Sequence, residues 1–298
     1  YEYDNTNFNG SISLNDTTIK DAVGKYSYTV QGISDPVYDL TAFTSNSVNV
    51  IFDKNSIALS AADSRIDVGS EAVILWNGIH EYDDVSFSGT VTFNDTLTKS
   101  EVGRYGFTVL GINGDTYGIT VFESNSIPVI FDRIRITEGG VSSSHCQVGL
   151  TQTVWLRAEY EYDSVRFDDT KGTLFLNDEP MNWSKKNSRW EYSATSDIID
   201  LQTFEVTSVS DEAYQLTVVN DLVGEKSILW DEIEIKEITV DTTTFGVTKV
   251  EVMAIYTSTK DPVTGATVTV NGIECTETET GLYTCQVQDW SLTRKLNV

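Results

Sequence analysis

The side chains able to carry acid–base, metal or covalent chemistry are few in this chain. His80 and His145 are the two histidines. Neither has a second histidine at ligand spacing, so a zinc site or a Ser-His-Asp arrangement finds no support. His80, followed by Glu81, reads as a surface strand residue. No phosphate-cradling glycine loop or dinucleotide fingerprint is present. Paired carboxylates for glycoside hydrolysis would have to be special to one part of the chain, and none stands out. The expectation is a protein that is not an enzyme and has no organic cofactor.

Carboxylates are the abundant chemical resource. Asp83-Asp84, Asp168-Asp169 with Asp163, and Asp211-Glu212 lie at or beside inferred turns. Ca²⁺ takes six to eight oxygen ligands, so these clusters are the candidate structural cation sites, set against the plainer reading of solvated loops. Cys275 and Cys285 lie ten residues apart in a strand-rich segment. A disulfide between them would fit an oxidising compartment. Cys146 is left as a buried thiol or an intermolecular partner. Asn9, Asn15, Asn94 and Asn182 head Asn-x-Ser/Thr triplets, a number that composition alone accounts for. Asn15 and Asn94 occupy equivalent places, each in Asn-Asp-Thr, and are the better candidates for glycosylation. Trp183 and Trp190 flank the polar turn Lys185-Lys186-Asn187-Ser188. They are the aromatics expected to be exposed and able to meet a sugar ring or a protein partner.

The elements that must position these residues are strands. The chain has 298 residues, 40% hydrophobic and 11% aromatic, with four prolines. β-Branched and aromatic enrichment favours sheet, and no helical period of useful length is visible. The formal net charge of −25 opposes a nucleic-acid backbone and an anionic membrane surface. It fits solubility and mutual repulsion of modules, cation binding, or adaptation to high salt. No run of 18 apolar residues is present to span a bilayer.

Repetition decides the architecture. Glu2-Tyr3-Asp4 recurs at Glu81-Tyr82-Asp83 and Glu161-Tyr162-Asp163. Val23-Gly24-Lys25-Tyr26-Ser27-Tyr28 returns as Val102-Gly103-Arg104-Tyr105-Gly106-Phe107. Phe52-Asp53, Phe131-Asp132 and Trp230-Asp231 close three successive units. Units of roughly 80 residues suit two-sheet sandwiches. A third-unit insertion around 181–195 reads as an added β-hairpin.

Gly281-Leu282-Tyr283-Thr284-Cys285 resembles the Gly-x-Tyr-x-Cys step that begins strand F of immunoglobulin domains. Gly24-Lys25-Tyr26 and Gly103-Arg104-Tyr105 share it without the cysteine. The stretch Asp261–Gly272 resembles the Ig-like modules common in bacterial and archaeal surface proteins. The resemblance implies a tyrosine corner, with the hydroxyl bonded to backbone just upstream, and a cell-surface, extracellular setting. Gln202 departs from the step in the third unit. Cys275 lies too near Cys285 in sequence to be the strand B partner of an immunoglobulin.

The expected fold class is all-β: tandem Ig-like β-sandwich modules in an extended rod. The modules are expected at 1–53 (incomplete), 54–133, 134–235 (with the hairpin) and 236–298 (shorter). Ile130–Ile136 and Ile228–Ile238 keep strand alternation across boundaries, so the joints are expected to be stiff. Before its Glu-Tyr-Asp marker the first unit lacks the two strands that the second unit has there. Either those residues are missing, or a neighbouring chain donates a strand. The function expected is a structural surface protein: a stalk, S-layer-like or filament subunit. The alternative is an adhesin or carbohydrate-binding module using Trp183 and Trp190. Partners would be copies of itself, other surface proteins or a glycan.

Overall fold

The protein is described by a computed structural model covering residues 5–244 and 247–288. The first Glu-Tyr-Asp marker, at residues 2–4, lies outside the described residues. Among the described residues every regular element is a strand, so the chain is all-β. It divides into two compact units, Tyr1–Asp132 and Arg133–Val298.

In the first unit the second module is built from strands Asn55–Ala61, Ile74–His80 and Phe122–Ser124 in one sheet. A second sheet holds Arg65–Asp67, Ile127–Asp132 and Gly103–Phe107. Alternation points Ile57 and Leu59 inward from the first sheet, and Phe107, Val129 and Phe131 inward from the second. Both edge additions are parallel: Phe122–Ser124 runs beside Asn55–Ile57, and Arg65–Asp67 beside Ile130–Asp132. Among the described residues the first module has antiparallel pairs, Ser11–Leu14 with Val30–Ser34 and Gly24–Tyr28 with Val48–Phe52.

The tyrosine corners form as the immunoglobulin resemblance implies. Tyr26 donates its hydroxyl to Ala22 O at 3.1 Å, and Tyr105 to Glu101 O at 3.3 Å. Each ring stands edge-on to the module's closing phenylalanine, Phe52 or Phe131, at 5.6 Å. Tyr283 differs: fully buried, it donates to Val263 O at 2.9 Å, twenty residues upstream. A repeated glycine marks where two strands touch. A Cβ at Gly89 would sit 2.2 Å from Asn113 O, and Gly10 and Gly172 meet the same obstacle.

In the second unit, the third module has a five-stranded sheet around Gln152–Tyr160 and a three-stranded sheet around Lys226–Asp231. Val154, Leu156, Ala158 and Tyr160 alternate into a core shared with Phe204, Ile228 and Trp230. The expected hairpin is present as Asn182–Ser184 and Arg189–Ala194, with Trp183 directly opposite Trp190. The fourth module begins earlier than expected. Its first strand is Ile233–Thr244, paired from Ile233 opposite Tyr256. The anticipated boundary at 235/236 therefore falls inside a strand. Its small core gathers Val250, Val252, Val270, Tyr283 and Val287.

Candidate functional site

The aromatic-Asp pair that closes each module has a physical purpose. Strand alternation sends the aromatic into its own core and leaves the aspartate at the strand's exit. Phe131 and Trp230 are fully buried, as is Asp132, which stands 3.4 Å from Arg65 of its own module. Asp53 Oδ1 accepts the backbone N–H of Lys54 at 2.8 Å. The same oxygen accepts the N–H of Tyr82 at 2.9 Å, from the turn that follows strand Ile74–His80. One carboxylate of the first module thus holds the first hairpin of the second.

Asp231 repeats the arrangement with more donors. Its Oδ1 accepts from Glu232 N at 2.8 Å and Ser258 N at 3.0 Å. Its Oδ2 takes the Ser258 hydroxyl at 2.5 Å and faces His145 Nε2 at 3.1 Å. Burial pushes this carboxyl up. The hydrogen bonds from Ser258, Glu232 and His145 together outweigh it and leave the group below the ordinary carboxylate value. The backbone reinforces both joints: Glu81 N donates to Lys54 O at 3.0 Å and Thr257 N to Glu232 O at 2.8 Å.

The Glu-Tyr-Asp marker belongs to the same construction. Its glutamate pairs with the cation that follows the closing aspartate. Glu81 lies 3.1 Å from Lys54, whose ammonium also reaches Glu123 at 2.6 Å. Glu161 takes Arg133 through two nitrogens, at 2.7 and 3.1 Å. Arg133 holds the Glu161 carboxyl below its ordinary value.

A serine, a histidine and an aspartate therefore do meet, although as a clamp. Ser258 and His145 both turn to Asp231 and make no bond to each other, so no hydroxyl is activated. Beside them lies a cavity of about 560 Å³ lined by His145, Cys146, Gln147, Glu232 and Tyr256. Burial pushes the Cys146 thiol up.

The residues singled out for metal binding are occupied locally. Asp83 Oδ1 accepts Val85 N, and Asp163 Oδ1 accepts Val165 N, each at 3.3 Å. Asp84 has a positive φ of 56° in the same turn. Asp168 receives Thr170 and Lys171, and Asp169 stands 3.9 Å from Lys185. Among the described residues no three His, Cys, Asp or Glu side chains are gathered to hold a metal ion.

Asn15 and Asn94 also have a structural task. Asn94 Nδ2 donates to Gly106 O at 3.2 Å while its Oδ1 accepts Thr108 N at 2.9 Å. Asn15 bridges Ser27 O and Thr29 N in the same way. Asn177 does likewise between Thr203 O and Glu205 N, although it stands in Asn-Asp-Glu, which is no sequon. The clip between two strands therefore explains the shared asparagine without a sugar. Asn9 and Asn182 are exposed.

Trp190 requires a correction. It is 2% exposed, and its Nε1–H donates to Phe167 O at 2.9 Å. It fills the third core, because pairing opposite Leu156 points it inward. Trp183 is half-buried, edge-on to Trp190 at 5.4 Å. His80 is corrected too: it is 2% exposed, edge-on to Tyr117 at 4.9 Å. Aligning the modules sets His80 at the place of Tyr160, a signal available in the sequence. Cys275 and Cys285 are both buried as thiols, next to each other across adjacent strands. Burial, then the neighbouring Cys285, push the Cys275 thiol up to about 12.

No family model matches this chain, and no curated protein sequence matches it. Among solved structures it has likenesses to FdeC, an Escherichia coli adhesin, at 12% identity and TM-score 0.30, over 78% of this chain and 87% of that one. Invasin, a bacterial integrin-binding protein, gives 11% and 0.28 over 79% and 64%. The S-layer protein rSbsC(31-844) gives 13% and 0.25 over 95% and 44%.

Proposed function

We propose that the chain is a structural component of an extracellular surface: a stalk, S-layer-like or filament subunit made of modules with stiff joints. The observation that supports this reading is the closing carboxylate. Asp53 and Asp231 each end one module and hold the next one's first turn, with one or two residues between strands. A Gly/Ser linker would leave neighbouring modules free to reorient; a buried carboxylate with backbone donors on both sides does not. Such joints suit a molecule that bears or spaces a load. The clamp at Asp231 uses the residues that could otherwise have served catalysis.

The route of assembly we infer is strand addition at the first module. Val50 is 38% exposed, whereas its equivalent Val129, in the core of the second module, is 1% exposed. Leu14, Tyr28, Val30, Val48 and Phe52 line an apolar trough of about 320 Å³ there. Phe43-Thr44-Ser45, aligned with strand Phe122–Ser124, forms no strand. A segment with the pattern of Asn55–His80 would cover this face. A synthetic peptide of that sequence should bind the chain and protect the amides of Val48–Phe52 from exchange. Val50→Arg should abolish both effects.

The surface reading is tested by immunogold microscopy on intact source cells with antibody against this chain. Label on the envelope or on fibres is the expected result, and label confined to the cell interior overturns it. An adhesive reading through aromatics rests on Trp183 alone, since Trp190 is buried.

A further inference from the structure

The second module departs from its neighbours at Asn113. The first and third modules leave the equivalent strand through Ser34-Asp35 and Ser210-Asp211. The second leaves strand Val109–Asn113 through Asn113-Gly114-Asp115, one residue longer. Two observations fix this match. The carbonyl oxygens of Ser34, Asn113 and Ser210 are the ones that a Cβ on Gly10, Gly89 or Gly172 would strike. Asp35, Asp115 and Asp211 each accept backbone N–H groups of the turn that follows. The extra residue is Gly114, at a φ of 76° that favours glycine. It puts an asparagine before a glycine at an exposed strand end.

Gly114 N donates to Asn113 Oδ1 at 2.8 Å, so this nitrogen stands beside the carboxamide carbon of the residue before it. A bond between that nitrogen and that carbon closes a five-membered ring. Glycine sets no side chain in the way, and proximity of the two reacting atoms lowers the entropy cost of joining them. Asp16, Asp53, Asp95 and Asp231 make the same contact with the amide that follows, at 2.7–2.8 Å. Each offers a carboxylate, a poorer electrophile than a carboxamide, and each is followed by a residue with a side chain. The other Asn-Gly steps are held differently. Asn271 and Gly272 sit at φ of 53° and 77° in a turn closed by the pair Val270 and Ile273. Gly10, after Asn9, lies against Ser34 O.

We propose that Asn113 is a site of self-modification, where the chain converts its own asparagine to aspartate and isoaspartate through a succinimide. The bond from Gly114 N to Asn113 Cγ forms as the bond from Cγ to Nδ2 breaks. Gly114 N gives up its proton, and Nδ2 takes one up to leave as ammonia. Water then opens the ring at either carbonyl. No atom is oxidised or reduced, and water is the co-reactant. The product bears one more negative charge, and its isoaspartate form one more main-chain carbon. Both changes fall where the strand touches Gly89, two residues before Asp115, which orders the 115–119 turn by accepting Ile119 N at 2.6 Å. Ageing therefore loosens this corner of the second module. The inference does not depend on where the protein acts.

The test ages the whole chain in neutral buffer and follows the amide-to-acid mass gain at each Asn-Gly step by peptide mapping, with fragmentation to separate aspartate from isoaspartate. In the native chain Asn113 should convert about tenfold or more faster than Asn9 or Asn271, because a contact near attack range lowers the barrier and a locked turn does not. In denaturant the three should convert at similar rates, since the fold makes the selection. Asn113→Ser, the residue of the neighbouring modules, should remove conversion there and leave Asn9 and Asn271 unchanged. Native conversion at Asn271 as fast as at Asn113, or no conversion at Asn113, overturns the proposal. A preference for Asn113 that persists undiminished in denaturant also overturns it, because local sequence would then suffice. The wild-type comparison decides the matter even if the variant fails to fold.

Discussion

Asp231 collects donors from two modules, and removing it leaves several of them buried and unpaired. Asp231→Ala should destabilise the second unit by about 2–4 kcal/mol in calorimetry. Its carboxyl is held below the ordinary value of 3.8. The contribution is therefore complete above that value and is lost as pH falls through the lower, folded-state value. The acid limb of the stability curve should flatten in Asp231→Asn. Asparagine clips belong to the same scale. Asn94→Ala and Asn177→Ala should each cost about 1–2 kcal/mol by denaturant melts. Equal costs at a sequon and a non-sequon would show that the shared residue is kept for its bridge.

At the scale of elements, the inserted hairpin is anchored by one ring and covered by the other. Trp190→Ala should cost about 3–5 kcal/mol in thermal melts, and Trp183→Ala much less. The cysteine pair follows the register of the last two strands. Thr276 stands opposite Thr284, which makes Cys275 and Cys285 the next neighbours. With the Cys275 thiol pushed up to about 12, its thiolate is scarce once the core has closed. Iodoacetamide should leave both unmodified in the native reduced chain and label them after unfolding. Chain folded under oxidising conditions should lose two hydrogens by mass, between these two residues.

Over the whole molecule, strand content was legible because it follows from alternation, and repeated words such as Glu-Tyr-Asp were legible as words. The purpose of those words was not. The bond from Tyr82 N to Asp53 spans 29 residues, and that from Ser258 to Asp231 spans 27. No local pattern reports such partners. Trp190 and His80 were misread for the same reason: which way a strand residue faces depends on register, and register is settled by distant pairing. Of the three accounts of the charge of −25, salt can separate cation binding from simple screening of repulsion. Calcium chloride and sodium chloride at matched ionic strength should raise the melting temperature equally if screening alone acts. A larger calcium effect would put a cation on the Asp83–Asp84 turn or on Asp163, Asp168 and Asp169.

At the Asp53 and Asp231 joints the carboxylate belongs to one module's tail, and the donors Tyr82 N and Ser258 N to the next module's head. Plug and socket at such a seam therefore sit on separate modules. A head grafted onto either tail keeps the seam only if it brings the matching backbone donor, and a cut between the two leaves a socket without its plug.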